Sequence, residues 1–174
     1  MSKNNTASLQ ASVEKYNVAT EKLYDTDAYL TVFEAEILKV EPADNGLCLI
    51  LDRTLFFPEE GGQNSDKGTL SLVEAEYEVK YVGIEKRDGE EVICHYVDGT
   101  DASLCKGAKV QGEIDWKERY DKMQNHTGEH ILSGIIHSEF GFDNVGFHLN
   151  DEIFTMDFPK SLLLLWQNFV LKQT

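Results

Sequence analysis

Basic residues are scarce in this 174-residue chain: sixteen lysines and arginines stand against thirty-one aspartates and glutamates, a net charge of −15 at pH 7. That deficit excludes a broad, non-specific polyanion binder, because phosphate contacts need clustered cations. Any nucleic acid must bind locally. The two modest basic concentrations, residues 80–87 and 117–122, read as solvated surface. Cysteine is also sparse. Cys48, Cys94 and Cys105 form an odd set without paired spacing, which excludes a disulfide framework and favours a reducing cytoplasm. Each is expected to be a small buried apolar residue. Long apolar runs are missing too. The longest, residues 162–166, is far too short to span a bilayer, and no export signal opens the chain.

What is present is enough for a folded protein: 41% hydrophobic residues can build a core, and the length suits one ordinary domain or two small ones. Residues 1–20 are polar, without an apolar stripe, and read as a frayed leader. From residue 29 the pattern changes to β-rich segments at 29–40, 47–57, 69–85, 91–97 and 109–116. Turn chemistry separates them at residues 42–46, Asp88-Gly89 and Asp98-Gly99. Strands at this spacing predict a small barrel or sandwich.

Residues 117–140 read as a helix. Asp115 or a neighbour caps its start, with Glu118 in capping-box spacing, and Gly141 supplies a left-handed stop. At about 100° per residue, Ile131, Leu132, Ile135 and Ile136 form one apolar arc, while His126, His130 and His137 fall on a separate stripe. Beyond the helix, residues 145–149 and 152–158 flank Asn150-Asp151 and predict a hairpin bearing His148, read as structural or exposed. The stretch 159–174, with four consecutive leucines, looks like the start of another helix.

His126 and His130 are the most informative pair. Side chains at i and i+4 share a helix face with Cβ atoms roughly 5–6 Å apart, so two imidazoles reach one metal ion through bonds of about 2.0–2.1 Å. They read as half of a zinc site. His137 lies about 10.5 Å further along the axis at 1.5 Å per residue, too far to share that ion. Glu129 sits about 60–100° around the helix from the histidines; surface placement is the expectation, a general base the alternative.

A second segment gains weight beside the pair. Thr54 carries a hydroxyl and a methyl on one small side chain and precedes a loop whose Gly61 and Gly62 let backbone approach a ligand. The plain alternative is a tight turn with two glycines at positive φ.

Together these segments resemble the editing module of alanyl-tRNA synthetases and the freestanding alanyl-tRNA editing proteins of the AlaX type. The first family motif is matched by Thr54, Phe56, Phe57, Pro58, Glu59, Gly61, Gly62, Gln63, Asp66 and Gly68, and the second by His126 and His130 in His-Thr-Gly-Glu-His-Ile-Leu. The entry 21–24 and the hairpin around 145–158 also look like this family. The resemblance implies an α+β protein in which a small N-terminal β-barrel precedes an α+β, two-layer editing domain. On that basis 1–22 is leader, 23–114 the barrel with the Gly-Gly-Gln loop, and 115–174 the zinc-binding domain. It further implies hydrolysis of the ester joining serine or glycine to tRNA(Ala). His126 and His130 would ligate zinc, Thr54 would test for a side-chain hydroxyl, and Gly61, Gly62 and Gln63 would line the same pocket. The family completes its zinc site with a downstream Cys-x-x-x-His pair, whereas no cysteine follows Cys105. The expectation is therefore a truncated, incomplete site.

Two rival readings remain. An inactive module that binds aminoacyl-tRNA accommodates the missing ligands. The string His126-x-x-Glu129-His130 also satisfies the inverted zincin pattern of metallopeptidases, but leaves the loop around Gln63 unexplained.

Overall fold

A computed structural model describes residues 19–87, 89–99, 101–149 and 154–159. Its main body is a six-stranded closed barrel. The strands are β2 (Val32–Ala43), β3 (Gly46–Leu51), β5 (Gly68–Leu72), β6 (Ala75–Arg87), β7 (Glu90–Asp98) and β8 (Lys109–Ile114), closing in the order β2-β3-β7-β6-β5-β8. All six pairings are antiparallel. Closure removes the free sheet edges that would otherwise recruit other chains.

Alternation explains which residues fill the interior. Phe33, Ala35 and Ile37 point inward from β2 while Glu34 and Glu36 face water. Leu49 and Leu51, Ile93 and Val97, and Val110 and Ile114 do the same from β3, β7 and β8. On β6 a register shift between Val79 and Tyr81 changes the inward parity from Tyr77 and Val79 to Val82, as an inserted bulge residue does.

The segment 69–85, expected as one strand, is two. Val73 and Glu74 make a tight reversal between β5 and β6, with Val73 at φ 58 and 96% exposed. Neither residue is ordinary turn chemistry, so the break left no sequence signal. The segment 47–57 also divides. The chain bends at Asp52, whose carboxylate accepts the Glu36 N–H at 2.8 Å, and then forms β4 (Arg53–Thr54), paired in parallel with β1 (Glu21–Lys22).

Helix α1 (Trp116–Phe140) begins and ends where its caps place it. The Asp115 carboxylate accepts from the Glu118 N–H at 3.0 Å, and Gly141 closes the helix at φ 71. Hairpin strands β9 (Gly146–Leu149) and β10 (Phe154–Asp157) pair antiparallel as expected. Their expected Asn150-Asp151 turn, most of the leader and the leucine-rich stretch lie outside the described residues.

Three expectations are corrected. Arg119 and Lys122, read as solvated, are 4% and 3% exposed, because the barrel loop presents acceptors that only strong donors can satisfy. The Arg119 guanidinium holds both Asp66 carboxylate oxygens and donates to the Leu55 carbonyl at 2.6 Å. Lys122 donates to the Ser65 carbonyl at 2.7 Å and to Glu118 at 2.6 Å. Cys105 is exposed, since it lies on an irregular connection rather than on a strand. Cys48 and Cys94 are buried as expected. Glu129, expected at the surface, is 4% exposed, for reasons given below.

Candidate functional site

The loop from Leu55 to Lys67 packs Leu55 and Phe56 into the barrel core, and hydrogen bonds to β6 anchor it. Glu59 N–H donates to the Val82 carbonyl at 2.9 Å, and the Ser65 hydroxyl accepts from the Val82 N–H at 3.1 Å. Asp66 accepts from Phe57 N–H at 2.8 Å while carrying the Arg119 ion pair. The same carboxylate therefore folds the loop and ties it to α1. Gly61 and Gly62 take φ values of 63 and 81, the left-handed region that glycine enters without strain. Open space surrounds the side of Gly61 where a Cβ would stand, whereas a Cβ on Gly62 would strike the Phe147 carbonyl. The Gly62 carbonyl accepts from Leu149 N–H at 2.8 Å, so the loop is fastened to β9 as well.

This packing brings Gln63 to the histidine helix. His126 Nδ1 lies 2.8 Å from Gln63 Oε1. An amide oxygen only accepts, so Nδ1 of the neutral ring carries the proton and Nε2 keeps its lone pair. His130 stacks on His126 with centroids 4.9 Å apart, and Phe147 lies 5.2 Å from His126 on the other side. Burial and the neighbouring His130 charge hold His126 below the ordinary imidazole range, against the opposing pull of Glu129. Its lone pair is thus available at neutral pH.

Glu129 backs the pair. Its Oε2 is 3.4 Å from His130 Nδ1, while Oε1 accepts from the Ser133 hydroxyl and from Asn144 Nδ2 at 2.6 Å. Burial alone would raise this carboxyl, but those two hydrogen bonds and the histidine charges outweigh it and hold it below the usual carboxylate range. Glu129 is buried because Asn144, beyond the helix C-terminus, folds back over it; that tertiary contact has no signature in helical periodicity. His137 is exposed and pairs with Asp143 at 2.8 Å, and His148 is exposed on β9. Both match their sequence reading as peripheral residues.

One ring nitrogen from each of His126 and His130 and one carboxylate oxygen of Glu129 lie within 4.8 Å of one another. The two imidazoles suit a metal ion: an acceptor stands beside Nδ1 of each ring, and Glu129, already accepting from Ser133 and Asn144, backs His130.

Thr54 takes a different position from the others. It is fully buried, and its Oγ1 accepts from Phe56 N–H at 3.0 Å and lies 2.9 Å from Nε2 of His95. Among the described residues, no hydrogen bond joins it directly to Gln63, Gly61, Gly62, His126 or His130. The link runs through β6: Val82, which anchors Glu59 and Ser65, is the register partner of His95. His95 was missed by the sequence reading. Its signal was present, since Ile93, His95 and Val97 share the inward parity of β7. Burial pushes His95 down to about 4, against the opposing effect of the Leu49 carbonyl, so the ring is neutral.

A groove of about 500 Å³ runs along the outer wall by Glu34, Glu36, Arg53, Lys109 and Gln111, and includes none of these site residues.

Residues 2–118 match the family model described as tRNA synthetases class II (A), and the chain belongs to that family. It is similar to the alanyl-tRNA editing protein AlaX-M of Methanosarcina barkeri, 41% identical over 143 residues, which cover 80% of this chain and 56% of that one. It is 34% identical over 129 residues to AlaX-L of Pyrococcus horikoshii, covering 74% of this chain and 31% of the relative. An alanine–tRNA ligase of Pyrobaculum neutrophilum is 38% identical over 122 residues, 70% of this chain and 13% of the ligase. The chain spans about half the length of the AlaX-M relative. Among the described residues, no helix is long and apolar enough to cross a membrane.

Proposed function

We propose that this chain takes part in editing mischarged tRNA(Ala) in the cytoplasm, by hydrolysing the ester that joins serine or glycine to the acceptor end. The observation that carries this reading is the contact between Gln63 and His126, 2.8 Å apart across 63 positions of sequence. It joins the two motifs that resemble the editing family, and relatives bearing the name alanyl-tRNA editing protein support it. In this reading 1–22 is leader, 23–114 the barrel unit with the loop, and 115–174 the metal-holding unit.

Zinc is the proposed cofactor, held by His126 and His130, and it would supply Lewis-acid polarisation of the ester carbonyl or a more acidic water. The chain's own residues do the rest. Gln63 fixes the His126 ring by taking its Nδ1 proton in a hydrogen bond, and Glu129 faces the corresponding atom of His130. Gly61, open on the side where a Cβ would stand, lets the aminoacyl end approach main chain. Gly62 holds the loop against β9. Thr54 supplies the hydroxyl that tests the amino acid. Such a second test is needed because an apolar pocket rejects an added hydroxyl by only about a hundredfold.

Deacylation of seryl-, glycyl- and alanyl-tRNA(Ala), with zinc and with chelator, tests the proposal. Zinc-dependent loss of the seryl ester, slower loss of the glycyl ester and sparing of the alanyl ester are expected. Retention of acylated tRNA without hydrolysis would instead favour the binding-module reading, which the small donor set of three groups supports. The inverted-zincin reading requires Glu129 as a free base, yet Glu129 is buried and accepts two hydrogen bonds.

A further inference from the structure

We propose that His95 is the positioning residue that aims the Thr54 hydroxyl, and that the pair makes the site select serine over glycine and alanine. The inference rests on the reading above in one respect, that Thr54 borders the amino-acid pocket.

The direction of every proton follows from the partners. The His95 Nδ1 lies 3.1 Å from the Leu49 carbonyl, which can only accept, so this nitrogen carries the hydrogen of the neutral ring. Its Nε2, 2.9 Å from Thr54 Oγ1, is then a lone pair. The threonine must donate to it. Thr54 Oγ1 also accepts from Phe56 N–H at 3.0 Å, so a hydroxyl with one donor and two acceptor positions has a single acceptor position left. A free threonine hydroxyl rotates and satisfies donors and acceptors alike. Held by His95, it offers a lone pair and nothing else.

That restriction is a chemical filter. The hydroxyl of a seryl ester donates into the remaining position. An alanyl methyl or a glycyl hydrogen has no donor to place there, so the remaining acceptor position goes unused and the hydrogen bond that favours serine is lost. The filter is also rigid. His95 is fully buried, Phe56 packs edge-on to its ring with centroids 5.8 Å apart, and β7 holds His95 opposite Val82, the residue to which both ends of the Gln63 loop are bonded.

The test uses the full chain and two readouts. In ¹⁵N NMR, the His95 ring is expected as the Nδ1–H tautomer, with an Nε2 resonance that moves in Thr54→Val and not in Thr54→Ser. Binding of non-hydrolysable seryl and glycyl amide analogues of the aminoacyl-adenosine end is then measured by titration, which needs no catalysis. The expected seryl preference is tenfold or more. His95→Phe, which keeps ring volume without nitrogen, should reduce it to near unity while glycyl affinity stays within about threefold. His95→Gln, whose amide oxygen can accept from Thr54, should restore part of it and serves if the Phe variant does not fold.

Equal loss of both affinities in His95→Phe would assign His95 a purely structural role and overturn the proposal. So would an unchanged seryl preference, an Nε2–H tautomer, or no binding of either analogue. Analogues that bind with the expected preference while the matching esters are never hydrolysed would leave this inference standing and sink the hydrolytic function instead.

Discussion

The first half of α1 buries charge and the second half exposes hydrocarbon, the reverse of an ordinary amphipathic helix. Arg119 and Lys122 are inside, while Ile131, Leu132 and Ile135 are 60%, 42% and 54% exposed. The difference lies in what each half faces. The N-terminal half meets the 55–67 loop, which presents the Leu55 and Ser65 carbonyls and the Asp66 carboxylate. Acceptors without water must be given donors, and arginine and lysine supply them with stems long enough to reach. The C-terminal half has one inward anchor among the described residues, Glu129. Helix orientation here is set by hydrogen bonds, not by a greasy stripe.

The strongest way to break that contrast is to remove the buried ion pair. Arg119→Ala leaves the buried Asp66 carboxylate without its cation and with only the Phe57 N–H as partner, and should cost about 3–5 kcal/mol in urea unfolding; Arg119→Lys should recover only part, since lysine lacks the planar fork. A loss below about 1 kcal/mol would mean that apolar contacts orient the first half after all.

Acid should weaken the barrel end next. The unfolded His95 side chain takes up its proton near the ordinary 6.5 and the folded one near 4. Between those values the unfolded chain binds more protons, so stability is fully present above about pH 6.5 and falls as pH drops towards 4. This group contributes a loss of up to about 3 kcal/mol. The pH slope of unfolding should shrink in His95→Gln; an identical slope would assign the loss to other groups.

Glu129→Ala should cost about 1–3 kcal/mol by orphaning Ser133 and Asn144. Hydrogen exchange should speed up in the second half of α1 and in the hairpin more than in the barrel. Uniform acceleration would deny that Glu129 is a local anchor. At the small end, Ile135→Glu should change stability by no more than about 0.5 kcal/mol. A large loss would show that this face is covered.

Much of this architecture was legible because it depends on local rules. Alternation marked the β-rich body, and Asp115, Glu118 and Gly141 marked both ends of the helix. The contact between Gln63 and His126 followed from no local rule; it was implied by resemblance to the family. The buried charges were hidden for a physical reason. Whether Arg119 is solvated depends on Asp66, 53 positions away, and Glu129 looks exposed until Asn144 folds over it. The division at Val73 was hidden because a β-branched residue at positive φ defies the turn preferences on which such readings depend.

Gly62 makes the glycine-paired loop and the β9–β10 hairpin a keyed joint. Its carbonyl bonds to Leu149, Gln63 bridges to the same residue, and the Phe147 carbonyl fills the space a side chain would need. Adding one residue to β9 would swing Phe147 and Leu149 to opposite faces and pull the Gln63 amide off the His126 ring. Length changes should therefore be tolerated at the exposed Val73 reversal, and intolerable within 61–63 or 146–149.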